Sequence, residues 1–223
     1  LTFSPLVTTG YFPCASGAVA AAGYDSLHSG VDQGSSSVVA FDTKDLSTTK
    51  TFAVCYSEGD GTSSAAWVDS GIRLTVSKIT EIHYDGPSTT SQPVRTFRST
   101  NVMAATNRLP QVTNAIVTYI GDLGSAKWLS LIDSTLNGGS PCVEGAVTAA
   151  NEDNLHSGIA QAASSTKEVT IPQSTLLSEA KTFALCYAHT DASSTDSTWR
   201  DSYMRVMISK LESLAAHTVT HWT

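Results

Sequence analysis

Charge is scarce in this chain. Only 15% of its 223 residues are Asp, Glu, Lys or Arg, well under the roughly 25% of ordinary domains. Ser, Thr, Ala and Gly fill the difference. The resulting surface is rich in small hydroxyl groups and packs against another surface with little charge to desolvate. The net charge of −7 and the pI near 5.2 argue against a nucleic-acid partner, whose affinity comes largely from Lys and Arg on phosphate. No run approaches the roughly 20 apolar residues of a membrane-spanning helix, so no transmembrane segment is expected. The patterns G-x-S-x-G, H-E-x-x-H and the P-loop are all missing, and no enzymatic activity or cofactor is expected. No C-x₂₋₄-C pair occurs, which speaks against a zinc site. No Asn-x-Ser/Thr sequon occurs either, which disfavours a secreted eukaryotic glycoprotein. Opening at Leu1 with neither Met nor a targeting segment, the sequence reads as a mature or trimmed product.

What is present is a block that occurs twice. Lys50-Thr51-Phe52-Ala53-Val54-Cys55-Tyr56 is followed, after a Gly/Ser/Thr-rich gap, by Trp67-Val68-Asp69-Ser70-Gly71-Ile72-Arg73-Leu74. Lys181-Thr182-Phe183-Ala184-Leu185-Cys186-Tyr187 is followed, after a similar gap, by Trp199-Arg200-Asp201-Ser202-Tyr203-Met204-Arg205-Val206. Upstream, Leu1 to Cys14 aligns without gaps to Leu129 to Cys142, and Leu27-His28-Ser29-Gly30 matches Leu155-His156-Ser157-Gly158. Self-similarity at one long offset means two copies of one supersecondary plan.

The four cysteines fall into two equivalent pairs, Cys14 with Cys55 and Cys142 with Cys186. They read as one bridge per copy, or as four reduced and buried thiols. Phe52, Val54 and Tyr56 alternate with Ala53 and Cys55, the period-2 pattern of a strand. Ile72, Leu74 and Val76 share a face, as do Met204, Val206 and Ile208. Trp67, Asp69 and Arg73 lie opposite, and so do Trp199, Asp201 and Arg205. Ser37 to Phe41, Glu168 to Pro172 and Asn114 to Gly121 read as further strands. The Ala-rich runs at 17–22 and 145–150, punctuated by Gly, read as loops or single turns.

Short strands with regular turns point to an all-β chain. We expect two tandem antiparallel β-sandwiches of immunoglobulin-like or Greek-key type, related by internal duplication. Repeat 1 covers 1–79, a linker covers 80–111 with an edge strand within 94–107, and repeat 2 covers 112–211. The Cys-Trp-Cys order of true immunoglobulin domains is not matched, so the architecture is inferred and not that family.

Copy 2 has an opening strand at 114–121, and its counterpart in copy 1 would precede Leu1. A sheet lacking a strand exposes backbone edges. The tail, 212–223, is the expected filler, acting within the chain or between chains.

Candidate chemistry is thin. His28 and His156 are candidate ligand or metal contacts; Asp25 and Asp153 recur three residues before them, weak evidence in a loop, and no second His recurs, so a structural role fits better. Asp69 with Arg73, and Asp201 with Arg205, are candidate polar contacts beside Trp67 and Trp199, or ion pairs within the sheet. No catalytic, cofactor or metal residues are assigned. Two function classes remain. One is a structural protein whose pseudo-equivalent domains self-assemble into a sheet or tube. The other is a secreted module binding carbohydrate or a cell surface, with Trp67 and Trp199 as exposed stacking platforms.

The doubled T-F-A-[VL]-C-Y … W-x-D-S-x-x-R-[LV] block, with P-C … L-H-S-G before it, resembles tandem-repeat proteins of marine algae, and in its layout the diatom pyrenoid shell proteins. The resemblance covers residues 1–79, 112–211 and the tail. It implies two β-sandwich regions, a C-terminal strand completing the first, and a chloroplast protein that assembles around Rubisco condensates without catalysis. A stromal protein is expected to keep Cys14, Cys55, Cys142 and Cys186 reduced. The thiol state therefore separates that location from an extracellular one.

Overall fold

The computed structural model describes residues 1–5, 12–36, 38–85, 95–96, 107–216 and 219–222. The chain is built mostly of strands in several sheets, with helices of only one turn. It divides into two compact units, Leu1–Val76 and Ser77–Thr223.

Unit 1 holds β1 (Thr2–Pro5), the single turn α1 (Gly17–Ala20), β2 (Thr51–Tyr56) and β3 (Val68–Thr75). The three strands form one antiparallel sheet in the order β1-β2-β3. The alternation of β2 sorts its side chains as expected. Phe52 and Val54 join Phe3 and Leu46 on one face, and Ala53 and Cys55 join Cys14, Ala20 and Trp67 on the other. The small residues of the second face leave room for the disulfide and for α1. Gly17, which opens α1, sits so close to the Ser63 carbonyl that a Cβ there would collide with it. Gly145 meets the Ser194 carbonyl in the same way.

Unit 2 holds β4 (Glu81–Asp85), β5 (Arg95–Thr96), β6 (Arg108–Pro110), β7 (Ala115–Ile120), β8 (Trp128–Asp133), α2 (Gly145–Thr148), β9 (Ala160–Gln161), β10 (Glu168–Ile171), β11 (Thr182–Ala188), β12 (Arg200–Ser209), β13 (Ser213–Ala216) and β14 (Val219–Trp222). A five-stranded sheet runs β6-β12-β11-β8-β9, and a four-stranded sheet runs β10-β7-β4-β5. Strands β8, β11 and β12 repeat the order of β1, β2 and β3. Their apolar face (Leu129, Leu131, Phe183, Leu185, Val206, Ile208) shares one core with Ile82, Tyr84, Val117, Tyr119 and Ile171 of the other sheet. Burial of each such side chain contributes about 1.5–3 kcal/mol before conformational entropy is subtracted. The opposite face, with Ala184, Cys186 and Trp199, packs against the Cys142 segment.

Several expectations change. Residues 80–111 are more than a linker: β4 lies inside the four-stranded sheet and β6 pairs in parallel with β12. Pattern reading missed this because Gly86-Pro87, Pro93 and Pro110 advertise turns. An edge strand does form at β5 against His83 and Tyr84, but residues 97–106 lie outside the described residues. The expected strand at 37–41 is reduced to a Ser35–Val38 bridge, with Ser37 outside the described residues, whereas its match is the full strand β10. Strand β10 gains its partner from β7, and the described part of copy 1 supplies no equivalent of β7. The tail strands β13 and β14 pair with each other, and no described strand of unit 1 pairs with them. Among the described residues no helix is long and apolar enough to cross a membrane.

Candidate functional site

The two copies make their matched contacts twice over, which separates structural residues from candidates for chemistry. Both cysteine pairs are disulfides, Cys14–Cys55 and Cys142–Cys186, each with Cα atoms 5.4 Å apart. All four cysteines are buried. Each bridge ties the segment after the first strand of a copy to its central strand.

The Leu-His-Ser-Gly segments are staples. Asp25 Oδ1 accepts from the backbone of Leu27 and His28 and meets His28 Nδ1 at 3.0 Å. Asp153 does the same for Leu155 and His156, meeting His156 Nδ1 at 2.9 Å. Such Asx turns preset the loop. The serine then reaches across. Phe3 N donates to Ser29 Oγ at 2.8 Å, and Leu131 N donates to Ser157 Oγ at 2.8 Å. The serine amides donate back to the carbonyls of Phe3 and Leu131. Gly30 and Gly158 come next at φ +71° and +70°, in the left-handed region that favours glycine. Ser29 and Ser157 therefore hold loops to strands, and His28 and His156 brace the turns that present them. Among the described residues no cluster of three or more metal-ligating side chains forms.

Trp67 and Trp199 are 9% and 2% exposed. Their Nε1 groups donate to the carbonyls of Thr62 and Ser193. Indoles this buried cannot stack on a sugar, which corrects the expectation that they form platforms. Asp69 and Arg73, and Asp201 and Arg205, form ion pairs at 2.7 Å across the bulge of β3 and of β12. The Arg73 guanidinium, and then the Gly71 amide, hold the Asp69 carboxyl below its ordinary pKa. These four residues hold the bulges.

Four features escaped sequence reading. Asp133 is 1% exposed at its side chain and pairs with Lys181 at 2.7 Å. Burial raises its pKa, and the Lys181 and Thr135 contacts outweigh that and hold it below the ordinary carboxylate value. Its match is Pro5, so no repeated pattern marked it. Asp196 accepts from the amides of Ala192 and Thr198. Burial raises its pKa, and hydrogen bonds from the Thr190 and Thr198 side chains, then from backbone amides, outweigh that and hold it well below the usual range. His189 is half-buried, and burial, then Lys78, Lys127 and Arg200, lower its pKa. A cavity of about 550 Å³ opens in unit 1 above Trp67, rimmed by Asp32, Glu58 and Asp60. No pattern in the sequence marks it, so only geometry reveals it.

Comparison with protein-family models, with curated proteins and with solved structures finds no match to this chain.

Proposed function

We propose that the chain is a non-enzymatic structural protein that assembles with copies of itself into a sheet or tube. One observation carries this reading: the second sheet of unit 2 takes in β4, a strand that lies between the two repeats. Strand β4 directly succeeds Ser77-Lys78-Ile79, the end of the first repeated block, yet it pairs with β7. The second block ends in the matching Ser209-Lys210-Leu211, and β13 and β14 come after it. This hairpin is the counterpart of β4 and β5, and among the described residues it pairs only within itself.

Unit 1 has the matching need. Leu74 is 37% and Ile72 53% exposed, whereas Val206, the match of Leu74, is 0% exposed and Met204 is half-buried. In this reading unit 2 is a β-sandwich and unit 1 is half of one. The hairpin of one copy closes unit 1 of the next, head to tail. A heterologous contact of that kind propagates unless it closes into a ring, and strand addition supplies its backbone bonds. The low surface charge favours such packing. The resemblance to pyrenoid shell proteins supports a place around a Rubisco condensate in the chloroplast. The buried disulfides favour an oxidising compartment instead, and the state of the thiols in the native protein decides between the two.

Negative-stain microscopy over a concentration series, with and without reductant, tests the assembly. Sheets or tubes that grow with concentration are expected, and removal of residues 213–223 should abolish them. That cut keeps Glu212, which accepts from the Tyr84 hydroxyl at 2.5 Å. A monodisperse monomer at every concentration overturns the reading.

A further inference from the structure

One end of unit 2 gathers cations from several strands. Strand β11 puts Phe183, Leu185 and Tyr187 on the core face. The alternation carries on to His189, whose ring meets Tyr187 edge-on at 5.6 Å. Residues directly opposite one another on paired strands share a face. Arg200 lies opposite Tyr187 on β12, and Leu129 lies opposite it on β8. Lys127 stands two residues before Leu129 and so shares that face, and its Nζ donates to the His189 carbonyl at 2.8 Å. Lys78 belongs to the segment leading into β4 of the other sheet, and its amide donates to the Tyr187 hydroxyl at 3.3 Å. Three neighbouring strands and the other sheet thus bring Lys78, Lys127, His189 and Arg200 to one end of the core.

These cations differ from others in the chain. Arg73, Lys181, Arg205 and Lys210 each meet a carboxylate at 3.0 Å or less. Among the described residues Lys78, Lys127 and Arg200 form no such pair, and Arg200 donates instead to the carbonyls of Ser197 and Trp199. The chain has 20 acidic side chains against 13 basic ones, so the gap is not a shortage of acids. All three cations are half-buried, where their mutual repulsion is screened less than at an open surface. The nearby acid, Asp196, is already engaged by the amides of Asp191, Ala192 and Thr198 and by the Thr198 hydroxyl. The fold does not demand the cluster. In unit 1 Glu58 stands in the place of His189 and Val68 in that of Arg200, while Lys210, the match of Lys78, is paired with Glu179.

We infer that this end of unit 2 binds a doubly charged oxyanion, a phosphate or sulfate group. Lys78, Lys127 and Arg200 supply charge-assisted contacts to its oxygens. Arg200 and Lys127 both keep donors beyond the carbonyl bonds they make, and protonated His189 adds a further one. The anion cancels the repulsion among the cations, and the effect is felt most at His189. Burial, then Lys78, Lys127 and Arg200, lower the pKa of that imidazole, with Asp196 opposing them. A bound dianion therefore raises it, and lower pH tightens binding. The site does not depend on self-assembly.

The test is an NMR titration of the His189 ring in the whole chain, kept at a concentration where it is not assembled, in sodium sulfate and in sodium chloride at one ionic strength. The His189 signal is identified by its loss in His189→Gln. Its pKa should be higher in sulfate than in chloride, and at fixed pH its shift should saturate with added sulfate as a single site. Lys78→Gln and Arg200→Gln should each weaken binding about tenfold, the scale of one charge-assisted contact. Lys44→Gln in unit 1 should leave it unchanged. Inorganic phosphate and a hexose phosphate, compared at fixed pH, separate the sources: tighter binding of the ester means that the group arrives on a sugar, equal or weaker binding means the free ion, and either supports the site. The same His189 pKa in both salts, a shift that never saturates, or sulfate binding that both Lys78→Gln and Arg200→Gln leave intact, each overturns the inference. The comparison of salts needs only the wild-type chain, so it decides even where a variant fails to fold.

Discussion

Arg205 grips Asp201 with two parallel bonds, Nη1 to Oδ1 at 2.8 Å and Nη2 to Oδ2 at 2.7 Å. Arg73 grips Asp69 with the same two distances. The fork spans a bulge, where the pairing to the central strand skips between Ala184 and Cys186 and between Ala53 and Cys55. Two residues four apart on one strand would not ordinarily meet, and the bulge brings them together.

Arg205→Lys should therefore destabilise unit 2, because an ammonium cannot reproduce the planar fork. The expected loss is about 1 kcal/mol, toward the upper end for partly exposed pairs. A double-mutant cycle with Asp201→Asn, read by urea melts, gives the coupling. A coupling of zero would mean that the bulge sets the pair and gains nothing from it.

The bulges hold a second contrast. Gly71 sits at φ +77°, and its match Tyr203 at φ +63°. A left-handed conformation costs a residue with a Cβ roughly 1–2 kcal/mol. Gly71→Ala should cost about 1 kcal/mol. Tyr203→Gly should be neutral or gain less than about 1 kcal/mol, since relief of strain is partly cancelled by unfolded-state entropy. Both are readable as shifts in melting midpoint, and Tyr203 is 53% exposed, so little packing is lost.

Each disulfide closes a long loop, with sequence separations of 41 and 44. On the loop-entropy account each is worth about 4 kcal/mol. With the sulfurs buried, a mild reductant should not open them in the folded protein. Mass-spectrometric counting of alkylated thiols should give none without denaturant and all four with it. Alkylation under native conditions would show that the bridges are labile, and would favour the reducing compartment.

His189 gives a pH dependence with a definite sign. Its folded pKa lies below the ordinary 6.5, through burial and then the nearby Lys78, Lys127 and Arg200. The unfolded chain therefore binds the proton first as pH falls. Nothing is lost above about pH 6.5, and stability declines below it until the folded pKa is passed. His189→Gln should lose less stability than the wild type between pH 7 and pH 5, roughly the window of an imidazole. Parallel urea melts at the two pH values measure the difference, and identical losses would refute the assignment.

Residues that act locally were legible in the sequence. The alternation in Phe52-Ala53-Val54-Cys55 placed both faces of β2, and the doubled Cys positions placed both pairs. Asn114 to Gly121 contained β7. Residues whose role depends on distant partners were not. Glu81 to Asp85 carries ordinary strand residues, but its partner β7 lies far along the chain, and the flanking prolines mask it. The burial of the Trp67 and Trp199 indoles was not legible either, because an alternating pattern identifies a face without saying what covers it.

Strand β4 follows the first repeat in sequence yet belongs to the folding unit that holds the second. The duplicated block ends near Ile79, whereas the folding unit begins at Ser77. During synthesis Glu81–Asp85 leaves the ribosome well before Ala115–Ile120, the strand it must pair with. A chain cut at the repeat boundary, after Ile79, would keep β4 with unit 2 and remove from that unit only Ser77–Ile79, of which Ile79 lies in its core. The gene segment that encodes one repeat is not the segment that encodes one stable fold, because unit 2 also needs β4, which lies between the repeats.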